Sequence, residues 1–325
     1  VLRPGFVFND DEDVIHVVDT FYHLDSGMAI DVSAYGSEPF RGVLSPDAQQ
    51  LYVGLRNGNQ VLIVDTATLT PTGSLPVGDN PQDVAFTPDG AWAFVTNRGD
   101  GTLTVIDTAV PTVTATISVG IEPMSLAAAC SDKLYVALRA DNAVAVVDTA
   151  AMTVTKIITG FFAPHGLALT PTCKRVYVSN QGDDSVGVID ASSDSLIATW
   201  PVPGTEWLSD VDVSVDGQRL YVADADTGVV YVLDTATGSL LATVTGTGDG
   251  WTSWEVEAFP PAAGPFVYAT FPYDGWVGVL NTTDNTLEKV IRLGDGGDLR
   301  GMALFPPIRL CSNVYLPLVM RNFEP

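Results

Sequence analysis

A short run of apolar and β-branched residues that closes on Asp-Thr, or a near equivalent, recurs seven times along this chain. The closing pairs are Asp19-Thr20, Asp65-Thr66, Asp107-Thr108, Asp148-Thr149, Asp190-Ala191, Asp234-Thr235 and Asn281-Thr282. They stand 46, 42, 41, 42, 44 and 47 residues apart. A period in the low forties, filled with short alternating strands and Gly/Asn/Asp turns, belongs to a β-propeller blade and not to a helical solenoid. The predicted fold is therefore all-β, a seven-bladed β-propeller that uses nearly the whole chain.

One repeat shows how a blade is encoded. Asp83-Val84-Ala85-Phe86 reads as an inner strand, Thr87-Pro88-Asp89-Gly90 as a tight turn, and residues 91–96 as the next strand. Residues 97–101 turn the chain again, because Asn, Asp and Gly accept positive φ at little cost. Residues 103–107 and 112–117 complete a four-stranded meander. Aligned on their turns, the inner strands start at Arg41, Asp83, Ser125, Gly166, Asp210, Val256 and Gly301. The last of these, 301–305, has no repeat after it, whereas three strands near residues 5–8, 14–19 and 28–32 precede the first. One C-terminal strand is expected to pair with those three N-terminal strands, which closes the ring and covers both sheet edges. Residues 1–306 then form the propeller, and 307–325 an apolar, extended tail.

Charge narrows the partners. Fifteen Lys and Arg stand against 39 Asp and Glu, a net charge of −24, which repels nucleic-acid backbones and anionic membranes. No run of 18 apolar residues is present, so no transmembrane segment is expected. The chain begins at Val1 and not at Met, which reads as a processed or trimmed N-terminus. Together with abundant Thr and Ser and only four Lys, this suits an extracellular, cell-surface or periplasmic protein.

The second strands add another regularity. Leu51-Tyr52-Val53, Ala93-Phe94-Val95-Thr96-Asn97, Leu134-Tyr135-Val136, Val176-Tyr177-Val178-Ser179-Asn180 and Leu220-Tyr221-Val222 each follow a Pro-Asp-Gly-like turn and precede a Val-Ile-Asp-Thr-like strand. In this the chain resembles the YVTN-repeat β-propellers, a family of secreted, periplasmic and surface-layer proteins of bacteria and archaea, over roughly residues 5–306. The resemblance implies the fold and an exterior location. Its shared residues are structural, so it implies no catalytic set. The sixth unit departs most from the pattern: 251–255 and the Pro-rich 259–265 lengthen the loops around its inner strand, and 271–276 makes an aromatic turn. It is the blade expected to be specialised.

Residues that open the inner strands converge on one mouth of a propeller channel. Those positions gather Arg41, Asp83, His165, Asp210, Glu255 and Arg300 as candidate ligand-binding residues. His165 is the one His of three placed there, with His16 and His23 on outer strands. His165 with Asp83, Asp210 and Glu255 supplies donor types for a divalent cation, but without close ligand spacing. The competing reading is a water-filled funnel stitched by Arg–carboxylate pairs. No cofactor is expected apart from that conditional cation.

Other strings read as turns. Arg98-Gly99-Asp100 matches an adhesion tripeptide but occupies a strand connection. The acidic runs at 9–13, 183–184 and 224–228 lack the spacing and terminal Glu of a Ca²⁺ loop. The Gly-rich 294–298 is acidic and leads into no helix, which argues against phosphate cradling. Asn281-Thr282-Thr283 is a glycosylation sequon, yet Asn281 stands where other repeats place a turn-forming Asp. Cys130 and Cys173 follow inner strands of consecutive blades and so share a face, which predicts a Cys130–Cys173 disulfide with Cys311 free.

These readings favour a non-enzymatic secreted propeller that binds a protein partner or assembles with copies of itself. The tail, and not the funnel, is expected to carry that association through Val314, Tyr315, Leu316, Leu318, Val319 and Met320. An added strand gains main-chain hydrogen bonds with little sequence demand. The tail is similar to short Tyr-Leu-Pro-Leu-Val C-termini on secreted proteins of some filamentous bacteria. Folding back on its own ring, or acting as a sorting signal, are its other readings. The alternative function is a cation-dependent, lactonase-like hydrolase at the channel mouth, which requires Asp83, His165, Asp210 and Glu255 to surround one ion. A quinone-dependent dehydrogenase finds no docking motif in the chain.

Overall fold

The computed structural model describes residues 4–205, 207–245, 255–258, 266–271, 275–293 and 299–304. Within them lie 28 strands and no helix, arranged as seven four-stranded antiparallel sheets. Blade 1 combines Leu299–Ala303 with Pro4–Asn9, Val14–Asp19 and Leu24–Asp31. The inner strands of blades 2 to 7 are Pro39–Leu44, Pro81–Phe86, Pro123–Ala128, Pro164–Leu169, Leu208–Val213 and Val256–Ala258. Closure takes the expected form: Leu299–Ala303 runs antiparallel to Pro4–Asn9, with Ala303 opposite Phe6 and Gly301 opposite Phe8. The tail residues Val314 to Met320, Cys311, the 251–254 and 259–265 segments and the 294–298 loop lie outside the described residues.

Burial explains why each strand has its composition. The second and third strands are sandwiched between neighbouring sheets, so both faces are apolar: Leu51, Tyr52, Val53, Val61 and Leu62 are fully buried. The outer strands are wet, and Thr112–Ser118 carries five exposed residues among its seven. The core is consequently a set of layers between blades. Phe94, Leu103 and Val105 of blade 3, for example, pack with Leu134, Val136 and Val147 of blade 4. Each such side chain contributes roughly 1.5 to 3 kcal/mol by leaving water.

The two sequence regularities meet at the blade boundaries. Asp65 Oδ1 accepts hydrogen bonds from the Ala67 and Thr68 amides at 3.0 and 2.8 Å, turning the chain into the outer strand. Thr66 Oγ1 donates back to the Ala48 carbonyl at 2.7 Å and pins the preceding turn. In three blades the second-strand tyrosine then reaches the corner region of the next blade, whereas the Tyr52 and Tyr221 hydroxyls make no hydrogen bond among the described residues. Tyr135 Oη donates to Asp194, Tyr177 Oη to the Thr235 carbonyl, and Tyr268 Oη to the Thr20 carbonyl across the closure. Asn281 serves as its blade's corner, accepting from the Thr283 amide at 2.8 Å.

Cys130 and Cys173 form a disulfide with Cα atoms 5.9 Å apart, bracing blades 4 and 5 on the face away from the inner-strand starts. Closing a loop of 43 residues stabilises by about 4 kcal/mol in the chain-entropy account. One placement differs from expectation. His23 lies in the turn before Leu24–Asp31 and not on a strand, because Asp19 Oδ1 accepts from the Phe21 and Tyr22 amides and the turn ends with His23 at a φ of 53°. Its Nδ1 sits 2.5 Å from Tyr268 Oη.

Candidate functional site at the channel mouth

Seven inner strands bring one residue each into a common layer: Arg41, Asp83, Ser125, Gly166, Asp210, Glu255 and Gly301. The layer follows from pairing with the second strands, where Asp210 faces Ala223 and Gly301 faces Phe8, while the Thr270 amide donates to the Glu255 carbonyl. Glu255 therefore stands level with Asp210, one position deeper than its alignment with Ser209 in the sequence. Four of the six candidates meet in this layer. His165 and Arg300 belong to the layer above, nearer the mouth.

Arg41 holds the centre. Its Nη2 lies 3.2 Å from Asp210 Oδ1, its Nε 3.5 Å from Glu255 Oε1 and its Nη1 3.8 Å from Asp83 Oδ2, so one guanidinium joins carboxylates of three other blades. Neither Nε nor Nη2 makes a well-aligned hydrogen bond among the described residues. The attraction is Coulombic more than directional, and it acts where little water remains, since Arg41 is 5% exposed. Burial alone pulls the Arg41 guanidinium down, but Asp210, Glu255 and Asp83 outweigh it and hold the group above its ordinary value. Burial pushes Asp210 up and Glu255 well up, with Arg41 offsetting part of each.

The same acids stitch neighbouring inner strands. Asp83 Oδ2 accepts from Ser125 Oγ at 2.9 Å and the Leu126 amide at 3.2 Å, Asp210 Oδ2 from the Val256 amide at 3.3 Å, and Glu255 from the Met302 amide. A second tier repeats this with Asp212 on the Ala258 amide and Glu257 on the Leu304 amide. Glycine completes the layer where an acid needs room: a Cβ on Gly166 would come within 2.5 Å of Asp210 Oδ1.

His165 is buried, and its Nδ1 is 2.6 Å from the Ser209 carbonyl oxygen. Burial, reinforced by Arg41, takes its pKa down to about 3, so the ring is neutral at physiological pH. Arg300 turns toward blade 1, with Nε 3.2 Å from Asp10 Oδ2. Among the described residues, no three His, Cys, Asp or Glu side chains form a group of the kind that holds a metal ion.

A further set of mouth residues is not among the channel candidates that the sequence offers. Arg56, Arg98 and Arg139 each follow a second strand and rise above the inner layer, at steps of 42 and 41 residues. That spacing is the signal that marks them. The Arg98-Gly99-Asp100 turn is occupied structurally, since Arg98 pairs with Glu122 at 2.6 Å and Asp100 accepts from the Asp79 amide at 2.7 Å.

These features define a seven-bladed β-propeller whose channel is knotted by one arginine and three acids. Solved structures share the fold. A chain of Kuenenia stuttgartiensis hydrazine synthase is 25% identical, with a TM-score of 0.69, covering 75% of this chain and 76% of that one. A functionally unknown protein from Desulfotomaculum acetoxidans DSM 771 is 14% identical, with a TM-score of 0.75, covering 93% and 98%. No protein-family model and no curated protein matches the chain. No helix among the described residues is long and apolar enough to cross a membrane.

Proposed function

We propose that this chain is a non-enzymatic binding and self-assembly module of the cell exterior, of the YVTN-repeat kind. The observation that carries the reading is the Arg41 guanidinium within 4 Å of Asp83, Asp210 and Glu255. A cation-dependent hydrolase needs an ion where those acids meet, and the Arg41 guanidinium already occupies that place. The neutral His165 is engaged with a backbone carbonyl. The repeated Tyr and Asp-Thr residues are spent on joining blades, in keeping with a family whose shared residues are structural. The disulfide suits an extracellular or periplasmic compartment. The likeness to the hydrazine synthase chain supports the fold, and no hydrazine chemistry is carried over from it.

In this reading residues 1–306 are the propeller and 307–325 the associating tail, which joins a protein partner or a second copy through Val314 to Met320. Burying three large tail side chains contributes roughly 4 to 9 kcal/mol before ordering costs, enough to hold an assembly. Deleting residues 312–325 is expected to leave the circular dichroism of a folded propeller and to abolish self-association in light scattering. Unchanged assembly would refute the donor-strand idea, and loss of folding would place the tail within the ring's own core. Metal analysis of the purified full chain is expected to find no stoichiometric divalent cation. One ion per chain would favour the lactonase-like alternative.

A further inference from the structure

Four of the eleven arginines of this acidic chain, Arg56, Arg98, Arg139 and Arg300, cluster around the mouth. Three have a carboxylate partner: Arg98 and Arg139 share Glu122 at 2.6 and 3.1 Å, and Arg300 pairs with Asp10 at 3.2 Å. Arg56 is the exception. Among the described residues no carboxylate comes within ion-pair distance of it. Its Nη2 donates to the neutral Gln82 Oε1 at 3.1 Å, its guanidinium lies 3.5 Å over the Phe40 ring, and its buried Nε has no acceptor. Burial and the adjacent Arg300 push its pKa down to about 10, with Asp10 and Glu38 offsetting only part. A cation held this way lacks the counter-charge that buried charges ordinarily have.

A cavity of about 400 Å³ adjoins it between blades 2 and 3. This lies in the size range of small-molecule sites, but the lining is polar throughout. Arg56 and Arg98 supply its positive charge, and Glu38 and Asp79 its negative charge. Asparagine amides fill the rest and are fixed by their own bonds. Asn57 Nδ2 donates to Glu38 at 2.5 Å, Asn59 Nδ2 to Asp79 at 3.2 Å, and the Asn80 amide to Asn59 Oδ1 at 3.0 Å. The site is therefore organised before any ligand arrives. An apolar ligand finds no surface here, and a polyanion is repelled by Glu38, Asp79 and the acidic exterior. A molecule with one carboxylate and several hydroxyls fits both signs of charge.

We infer that the cavity between blades 2 and 3 binds a small hydroxylated carboxylate of the sugar-acid type, its carboxylate neutralising Arg56 beside Arg98 and its hydroxyls donating to Glu38 and Asp79. Arg suits the acid end because its planar fork matches a carboxylate. Carboxylate oxygens suit the other end because they only accept, so a hydroxyl donor is what they select. The site goes beyond the assembly reading and does not depend on the tail.

Isothermal titration of the full chain at low salt tests it, with D-glucuronate, D-glucose and inorganic phosphate as probes. Saturable binding of one glucuronate per chain is expected, with phosphate weaker and glucose giving no saturable heat. Arg56→Gln should weaken glucuronate at least about tenfold, while its circular dichroism and light scattering match the unsubstituted chain. Asp79→Asn should weaken glucuronate and leave phosphate unchanged. Absence of saturable binding by either anion, or an Arg56→Gln affinity equal to that of the unsubstituted chain, would overturn the site. Phosphate binding more tightly than glucuronate, with Asp79→Asn neutral, would overturn the hydroxylated-carboxylate assignment.

Discussion

Arg41 and Arg56 occupy neighbouring storeys of the same channel mouth; Arg41 is buried, and Arg56 is half-buried with its Nε shielded from water. Arg41 has three carboxylates within 4 Å and is held above its ordinary pKa. Arg56 has an amide oxygen and an aromatic face, and is pushed down to about 10. Desolvation lowers both, so what separates them most is counter-charge. The inner layer is complete as it stands and behaves as structure. The outer one is incomplete and leaves a charge for a ligand to satisfy.

Removing each cation in turn separates the two layers. Arg41→Gln leaves three acids facing one another without a counter-ion, a loss of about 3 to 5 kcal/mol expected for breaking a buried pair. Denaturant unfolding at neutral pH measures it, and a loss below about 1 kcal/mol would mean that water already screens the layer. Cys130→Ser serves as a control on the opposite face. It should cost roughly 2 to 4 kcal/mol in non-reducing unfolding, with glucuronate affinity at the mouth unchanged.

Glu257 sharpens the contrast from the acid side. Burial, then Glu255 and Asp212, push it well above the usual carboxylate range, and it has the Leu304 amide as a hydrogen-bond donor but no arginine partner among the described residues. A carboxyl with a raised folded pKa contributes its stability below the unfolded value near 4.5, and that contribution is lost as pH rises through the folded value. Glu257→Gln keeps an acceptor for Leu304 and removes the charge. It should therefore stabilise the protein by on the order of 1 kcal/mol at neutral pH, and the gain should vanish near pH 4 in a pH series of unfolding curves. The smallest effect belongs to Arg56→Gln, which should unfold within about 0.5 kcal/mol of the unsubstituted chain, or above it. A large loss there would make Arg56 a structural residue like Arg41.

Much of this contrast lies beyond reading from residues alone. The repeat of Asp-Thr corners exposes seven blades, their closure and the Cys130–Cys173 bridge, because each depends on local turns repeated at one period. Asp83 and Asp210 are legible as channel residues for the same reason. Glu255 is misplaced by one position because the sequence on either side of its strand, 251–254 and 259–265, has no Pro-Asp-Gly-like string to align on. The pairing of Arg41 requires contacts across the ring, between residues of blades 2, 3, 6 and 7 that no spacing connects. Arg56, Arg98 and Arg139 do carry a periodic signal. Which of them lacks a carboxylate depends on where Glu122 and Asp10 fall in three dimensions.

Arg41 is what allows Asp83, Asp210 and Glu255 to share one buried layer, and the pH dependence of the Arg41→Gln deficit tests this. Asp210 and Glu255 already have raised pKa values with Arg41 present, and removing it raises them further. Their unfavourable charging in the folded state then begins above the unfolded carboxylate range near pH 4 and grows with pH. Chemical unfolding of both proteins from pH 4 to pH 8 should show a deficit that is small at pH 4 and widens steadily toward pH 8. A deficit that stays constant across that range would contradict the account, because it would come from lost packing and not from uncompensated charge.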